Sequence, residues 1–274
     1  MIMSVKPVDL DGLHVRVTAP AAAAEHPVIV FSHGYGQSLD GYAPLAEHWA
    51  GQGFAVVQPT HLDSRSIGLA PDDPRTPEIW RLRVKDVIRV LDSLGTLQNV
   101  VPGTFDRSRI AVAGHSYGAQ TAGMLLGARV AGLDDNYRDP RITAGVLLAA
   151  TGRGGDNLSE FAATHFPFMS PDFSSLDVPT LVVAGDADQS ALTATRGPDW
   201  FTDAYYDSPG ARALLTLRGA EHSLGGITGY GVTETTDENP ALVAVIQQVS
   251  TAFLKGGALP EVAQALGSLT VKQP

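Results

Sequence analysis

The chain has 274 residues, of which 44% are hydrophobic and 18% are charged, and its net charge is −10. This composition suits a protein with a large buried core and excludes a disordered chain. The sequence has no cysteine and no basic run. It therefore excludes disulfides, thiolate metal sites and a cysteine nucleophile, and it argues against a nucleic-acid or anionic-membrane partner.

The beginning of the chain does not resemble a targeting segment. Residues 1–12 have no long apolar core and include Asp9 and Asp11, which is unlike a signal peptide. No apolar run is long enough to span a bilayer. We expect a soluble, cytoplasmic protein, although a secreted protein whose signal peptide had been removed would have the same sequence.

Apolar runs of strand length recur along the chain. They lie at 13–17, 27–32, 54–58, 109–113, 143–149, 179–184 and 213–217. The central runs are continuously apolar rather than alternating, a pattern typical of strands that are buried on both faces of a mostly parallel sheet.

Segments with helical periodicity alternate with these runs. The predicted helices are 41–52, 77–94, 117–130 and 240–254. Pro77 and Glu78 suit the start of the second helix, and Gly95 suits its end. The alternation predicts a doubly wound α/β fold with a mostly parallel sheet. We expect one domain, 1–274, with its core at about 27–256.

Three long loops follow predicted strands, at 59–76, 151–178 and 219–239. Loops of this length in a compact domain are often functional. Because ligands bind at the carboxyl ends of the strands in open α/β sheets, we expect these loops to border one site.

The stretch "IAVAGHSYG" at 110–118 carries the main chemical signal. An apolar strand runs into Gly114, Ser116 and Gly118, and a helix of small residues follows. The pattern G-x-S-x-G forms a tight strand–turn–helix elbow that exposes the serine oxygen. We favour Ser116 as a nucleophile over the alternative of a helix-capping serine.

A serine nucleophile needs a base and an acid that orients the base. In this kind of fold the acid and then the histidine follow the serine in the chain. The histidines after Ser116 are His165, inside the 151–178 loop, and His222, just after the last predicted strand; we favour His222. Asp186 and Asp188 follow the strand at 179–184. We favour Asp188 as the acid and expect Asp186 to close the turn.

An oxyanion hole needs backbone N–H donors. Tyr117, directly after the nucleophile, is one candidate. Tyr35 in the stretch "HGYG" at 33–36 is the other, and its ring is a candidate wall of the acyl site. The alternative is that 33–36 is only a glycine-rich turn.

The remaining histidines point to structural roles. We expect His33 and His115 to make structural hydrogen bonds, because backbone position fixes both. For His61 and Asp63 we favour a hydrogen-bonded pair in the loop over a metal or substrate contact. Metal-ligand spacing is absent elsewhere. The dinucleotide-binding glycine pattern is also absent, so the sequence predicts no cofactor and no metal.

These motifs carry a family resemblance. The stretches "HGYG" at 33–36, "GHSYG" at 114–118, "GDAD" at 185–188 and "EHS" at 221–223 resemble an α/β-hydrolase over about 27–256. The chain looks like the dienelactone-hydrolase-like carboxylesterases, near the platelet-activating-factor acetylhydrolase, chlorophyllase-like and polyester-hydrolase-like groups. It departs from true dienelactone hydrolases, which use a cysteine nucleophile. The resemblance implies serine ester hydrolysis without a cofactor.

The substrate is expected to be a small-molecule or polymeric ester. Candidate pocket walls are Tyr35, Trp80, Phe166, Phe168, Met169 and Leu224, and the insertions are too short for a large cap domain. An apolar wall favours a neutral ester. The same residues also suit a thioesterase, an amidase, an acyltransferase, a perhydrolase or a non-catalytic binding protein on a hydrolase fold. The sequence does not predict an oligomeric state.

Overall fold

A computed structural model describes residues 1–70, 72–166, 168–229 and 235–272. Its strands are β1 (Ile2–Leu10), β2 (Leu13–Pro20), β3 (Glu25–Ser32), β4 (Ala55–Pro59), β5 (Thr104–His115), β6 (Arg129–Val130), β7 (Ile142–Leu148), β8 (Pro171–Asp172), β9 (Thr180–Gly185), β10 (Ala211–Leu217) and β11 (Gly267–Val271). Its α-helices are α1 (Ala43–Gly51), α2 (Ile79–Asp92), α3 (Leu94–Leu97), α4 (Tyr117–Leu125), α5 (Glu160–His165), α6 (Asp203–Asp207) and α7 (Pro240–Leu254). Short 3-10 helices lie at Thr76–Glu78, Gln98–Val100, Gly155–Asn157 and Pro198–Thr202.

The described residues form a nine-stranded sheet in the order β1-β2-β4-β3-β5-β7-β9-β10-β11. The strands from β4 to β10 pair in parallel. The edges are antiparallel, where β1 pairs with β2, β2 with β4, and β10 with β11. The prediction of a mostly parallel α/β sheet is therefore confirmed, and the architecture is that of an α/β-hydrolase.

Helices cover both faces of the sheet because the central strands are apolar on both sides. Along β3, Val28 and Val30 pack into a core that includes helices α2 and α4. The alternate residues Ile29 and Phe31 pack into a second core, which includes α1 and α7. Successive side chains of a strand point to opposite faces, so a run without polar residues requires a helical layer on each side.

The predicted apolar runs all lie in strands, but the element boundaries differ in places. Helix α4 ends at Leu125 rather than at 130. Gly95 lies inside the short helix α3, and α2 already ends at Asp92. The predicted loop 151–178 contains α5 and β8, and residues 71, 167 and 230–234 of the predicted loops lie outside the described part of the chain.

Strands β1 and β11 are not predicted from the sequence, and they extend the sheet beyond 27–256 at both edges. Within the described residues, no helix has both the length and the apolar character needed to cross a membrane. The assignment of 1–274 to one domain stays a prediction.

Candidate active site

Ser116 lies on a sharp bend between strand β5 and helix α4. Its φ of 55° and ψ of −120° are unusual for a residue with a side chain and mark a strained backbone. The flanking glycines make this bend possible. A Cβ atom on Gly114 would lie 2.1 Å from the Gly118 carbonyl oxygen, and one on Gly118 would lie 1.9 Å from the Ser32 carbonyl oxygen. The elbow therefore requires glycine at both positions.

This requirement predicts opposite effects for two glycines of the same helix. Gly118→Ala forces a methyl group onto the Ser32 backbone, and we expect it to lower the free energy of unfolding by about 3 kcal/mol or more. Gly123 is the matched control, because its added Cβ would meet only Ala128 Cβ, at 3.8 Å. Gly123→Ala is expected to raise stability by about 0.5–1 kcal/mol, since alanine is the better helix former. Urea unfolding measures both, and equal midpoints for the two variants would contradict the close approach.

Three of the predicted site residues meet at the carboxyl edge of the sheet. His222, which follows β10, places Nε2 2.8 Å from Ser116 Oγ. Its Nδ1 atom is 3.0 Å from Asp188 Oδ2 and 3.2 Å from Oδ1. The Asp188 side chain, which follows β9, is fully buried, whereas 42% of the His222 side chain is exposed. The imidazole thus bridges a buried carboxylate and the serine oxygen.

The two alternative candidates lie elsewhere. Asp186 is exposed and accepts a hydrogen bond from the Gly219 N–H at 2.6 Å, which closes the turn after β9. His165 is exposed in α5 and packs against Phe161, with ring centroids 4.6 Å apart. Burial raises the pKa of Asp188, while the hydrogen bond from His222 acts to lower it.

His115 connects the backbone of His222 to the loop at 33–36. Its Nε2 is 2.7 Å from the His222 carbonyl oxygen, which can only accept, so Nε2 carries the proton. Tyr42 O–H therefore donates to His115 Nδ1, at 2.9 Å, and the Tyr42 oxygen accepts from the Gly34 N–H, also at 2.9 Å. Burial lowers the pKa of His115 to about 3, with His222 adding to the effect. A neutral ring in this tautomer holds His222 in place.

The two candidate oxyanion donors lie at the ends of neighbouring elements. Tyr117 is the first residue of α4, so its N–H has no partner within the helix. Around Tyr35, the Gly34 N–H donates to Tyr42, the Gly36 N–H to Asp63 and the Gln37 N–H to the Gly34 carbonyl. The Tyr35 N–H has no such acceptor among the described residues. The 65% exposed Tyr35 side chain lies at the surface of this loop.

A buried polar network lies beneath the loop at 33–36. Ser32 Oγ is 2.9 Å from His61 Nε2, and His61 Nδ1 is 2.9 Å from Asp86 Oδ2. The backbone N–H of His61 donates to His33 Nε2, at 3.0 Å. His33 thus makes the structural hydrogen bonds expected of it.

The interpretation of His61 and Asp63 as a hydrogen-bonded pair is wrong. Asp63 binds Arg83 of helix α2, at 2.7 Å, while His61 binds Ser32 and Asp86. Burial acts to raise the pKa of Asp63, but Arg83 and the neighbouring histidines outweigh it, so the pKa is lowered. Burial lowers the pKa of His61 well below its usual value. Within the described residues, no group of three or more histidine and carboxylate side chains is arranged to hold a metal ion.

Asp86 predicts a pH dependence of stability. Burial raises the pKa of its carboxyl group from 3.8 to about 7, although Arg89 and Arg83 act to lower it. Because the folded state then binds this proton more tightly than the unfolded state, stability falls as the pH rises from about 4 to about 7. Asp86→Asn removes this titration. We expect the variant's free energy of unfolding, relative to the parent, to rise between pH 4 and pH 8 by on the order of a few kcal/mol.

Urea unfolding of both proteins at the two pH values measures the effect. Asp134→Asn is the control, because this side chain is exposed and has no ion pair or side-chain hydrogen bond among the described residues; its free energy of unfolding should stay within about 0.5 kcal/mol of the parent at both pH values. A constant difference for Asp86→Asn as well would contradict the prediction.

Aromatic rings form a wall beside the elbow. The Phe168 ring stacks on Tyr117, with centroids 5.7 Å apart, and on Trp80, at 6.0 Å. Phe166 meets Phe168 edge-on at 5.9 Å, and Gln120 Nε2 of α4 donates to the Phe168 carbonyl. The structure thus brings Trp80, Phe166 and Phe168 together next to the residue that follows Ser116; we call these residues and Tyr117 the aromatic wall.

Two predicted wall residues are core residues instead. Leu224 is fully buried and packs in the core that contains Ile227 and Leu242. Its φ of 48° lies in the left-handed region, two residues after His222, and proximity to His222 in sequence does not place it in a pocket. Met169 is 7% exposed and buried in the other core, where its sulfur is 3.9 Å from Thr151 Oγ1. Trp80 is 3% exposed and belongs to the same core as Met169, so it backs the Phe168 ring and offers little surface of its own.

Sequence reasoning did not identify Arg83 or Tyr42, which hold the candidate site from below. Arg83 is fully buried, and a signal for it exists in the sequence. It is three residues after Trp80 and next to Val84, and therefore lies on the apolar stripe of α2. A charged residue on a buried stripe requires a buried partner.

Comparison with known proteins agrees with this architecture. A family model described as Chlorophyllase matches residues 8–134. Chlorophyllase-1 of Arabidopsis thaliana is 26% identical over 172 residues, which cover 62% of this chain and 48% of that protein. The chain has the α/β-hydrolase fold and is similar in sequence to the chlorophyllases. The match to Chlorophyllase-1 spans about half the length of that relative.

The family match covers only part of the candidate site. Residues 8–134 include the loop at 33–36, Arg83 and Ser116, but they end before Asp188 and His222. The roles of individual side chains must be argued from their geometry.

Proposed function

We propose that this chain is a serine hydrolase that cleaves carboxylic esters through an acyl-enzyme, with water as the final acceptor. The observation that carries the proposal is the unbroken hydrogen-bonded series from Asp188 through His222 to Ser116 at the elbow. A hydroxyl group at neutral pH needs such a base in order to attack, and the base needs an orienting carboxylate. Similarity to the chlorophyllases supports an ester as the substrate.

In the first half-reaction, Ser116 Oγ attacks the ester carbonyl carbon while His222 Nε2 accepts the hydroxyl proton. Asp188 accepts the Nδ1–H hydrogen bond, fixes the tautomer and stabilises the imidazolium. The negative charge on the carbonyl oxygen is bound by the N–H groups of Tyr35 and Tyr117. His222 then protonates the leaving alcohol, and the acyl group stays on Ser116.

In the second half-reaction, water replaces the alcohol. His222 Nε2 accepts a proton from water, whose oxygen attacks the acyl carbon, and the same N–H groups bind the oxyanion. Collapse of this intermediate returns the proton from His222 to Ser116 Oγ and releases the carboxylic acid. The enzyme is regenerated without a cofactor.

The aromatic wall supports a neutral ester with an apolar group as the substrate. The half-buried Phe168 ring, backed by the buried rings of Trp80 and Tyr117, provides flat apolar surface beside the elbow. The wall continues through Phe166 to Phe161, which is 59% exposed. Such a surface accommodates an extended apolar or polymeric ester better than a charged one.

Turnover and covalent labelling together test the proposal. The purified protein is expected to hydrolyse p-nitrophenyl acetate and butyrate and to be labelled by a fluorophosphonate on the peptide that contains Ser116, as read by mass spectrometry. Parallel assays with a matched thioester and anilide, and with added alcohol or peroxide acceptors, separate the other triad chemistries. If one of these reactions were faster than ester hydrolysis, that reaction would replace ester hydrolysis as the proposed activity. Labelling without turnover of any substrate would identify a binding protein on a hydrolase fold.

A further inference from the structure

Arg83 occupies the junction between the two elements that carry the candidate oxyanion donors. Its side chain is fully buried, and that of Asp63 is 1% exposed. Nη1 donates to both Asp63 carboxylate oxygens at 2.7 Å. Nη2 donates to the His33 carbonyl oxygen and, at 3.3 Å, to Ser32 Oγ. Two nitrogen atoms of one guanidinium group thus bind three residues at once.

The contacts on one side of Arg83 hold the loop at 33–36. The His33 carbonyl accepts directly from Nη2. Asp63, held by Nη1, accepts from the Gly36 N–H at 3.3 Å. Tyr35 lies between these anchored positions, so the direction of its N–H depends on both of them.

The contacts on the other side hold the start of helix α4. Arg83 Nε donates to Thr121 Oγ1 at 3.2 Å, and Thr121 Oγ1 donates to the Tyr117 carbonyl at 3.1 Å. The guanidinium carbon lies 4.4 Å from the centre of the Tyr117 ring, within the range of a cation–π contact. The second candidate donor, the Tyr117 N–H, therefore belongs to a residue that Arg83 holds by its ring and, through Thr121, by its backbone.

We propose that Arg83 is a positioning residue that sets the spacing between the Tyr35 and Tyr117 N–H groups and so shapes the oxyanion hole. This inference rests on the proposed function. The planar guanidinium is suited to the task, because its donors point in fixed directions that a lysine ammonium does not reproduce. A buried ion pair contributes little net stability compared with apolar residues of similar size, but it does restrict geometry.

Arg83→Met, Arg83→Lys and the double variant Arg83→Met/Asp63→Asn test the proposal. The double variant removes both buried charges and leaves no unpaired carboxylate. Active sites are counted by fluorophosphonate titration, so that kcat refers only to folded, labelled protein. Because displacement of a catalytic group by about 1 Å can cost roughly 100-fold in rate, we expect all three variants to lose at least about tenfold in kcat per titrated site. KM is expected to stay within about twofold, since ground-state binding does not use the oxyanion hole.

The inhibition constant of an alkyl boronic acid separates a positioning role of Arg83 from a purely structural one, because a purely structural role would leave this constant unchanged in the folded variants. Its tetrahedral adduct with Ser116 places an oxygen in the oxyanion hole. We expect the inhibition constant to rise in parallel with the loss in kcat across the three variants. Arg141→Met is the matched control. Arg141 pairs with the largely buried Asp139 at 2.6 Å, just before β7 and thus at the opposite edge of the sheet, and kcat per site should not change.

Two results would overturn the inference while the proposed function stands. The first is a double variant with the kcat per site and the boronate inhibition of the parent. The second is loss of titratable sites and of near-ultraviolet circular dichroism in all three variants, which would assign Arg83 to stability alone. If the parent itself shows neither turnover nor labelling, the proposed function fails and this inference fails with it.

Discussion

Replacement of Ser116 by alanine is expected to lower kcat for p-nitrophenyl butyrate by roughly 10³- to 10⁶-fold, the range seen when a triad nucleophile is removed. The reason is chemical. Ser116 Oγ is the atom 2.8 Å from His222 Nε2, and without it no acyl-enzyme can form. Residual activity would come from water activated by His222 and from the backbone donors. The measurement is initial-rate kinetics together with fluorophosphonate labelling, which should disappear.

Ser108, on the strand β5 that leads to Ser116, provides the control. Ser108 is exposed in the first half of β5, where its hydroxyl group donates to Asp106 at 2.6 Å. Ser108→Ala should keep kcat within about twofold of the parent and should still be labelled, because surface substitutions away from special features have small effects. If Ser116→Ala kept the activity and the label of the parent, another residue would be the nucleophile.

The strands that could be predicted from the sequence are those buried on both faces, because their residues form continuous apolar runs. Residues 27–31 of β3 and 181–184 of β9 are apolar without interruption because a helical layer packs on each face. Strands β1 and β11 lie at the edges of the sheet, and most of their side chains are exposed or half-buried. Their residues therefore show no continuous apolar run, and only the structure reveals them.

The candidate site also has a part that was predictable from the sequence and a part that was not. Ser116, Asp188 and His222 each follow a strand within a few residues, and the parallel sheet brings such positions to one edge. Their convergence was predictable, although their catalytic roles stay proposals. Side-chain direction within a loop has no comparable rule. Leu224 turns into the core at a positive φ, so its distance from His222 in sequence was misleading.

The contacts of Arg83 were not predictable for a different reason. Its partners Asp63, His33 and Thr121 come from three separate segments, and no sequence spacing relates them. Helical periodicity alone places Arg83 on a buried stripe. It does not say whether its partner is a carboxylate, a carbonyl or a bound anion.

Asp188→Asn is expected to lower kcat by on the order of 10⁴-fold, far more than Asp186→Asn. The Asp188 carboxylate can only accept from His222 Nδ1–H, so it leaves Nε2 free to accept the Ser116 proton. An asparagine amide can donate instead. It would favour the tautomer with the proton on Nε2, which cannot act as the base. Kinetics per titrated active site measure the loss, and circular dichroism checks that the buried substitution leaves the fold intact.

Asp186→Asn is the matched control at the same turn. Its side chain is exposed and accepts from the Gly219 N–H, and an asparagine oxygen can accept the same hydrogen bond, so kcat should stay within about fivefold of the parent, as for most surface substitutions. The reverse order of the two effects would make Asp186 the orienting acid. Small effects in both variants would indicate that Asp237 positions His222 instead. Its Oδ2 accepts from the backbone N–H groups of Glu221 and Gly225, on either side of His222. In that case the buried carboxylate of Asp188 would hold the turn, and the orientation of His222 would come from its backbone.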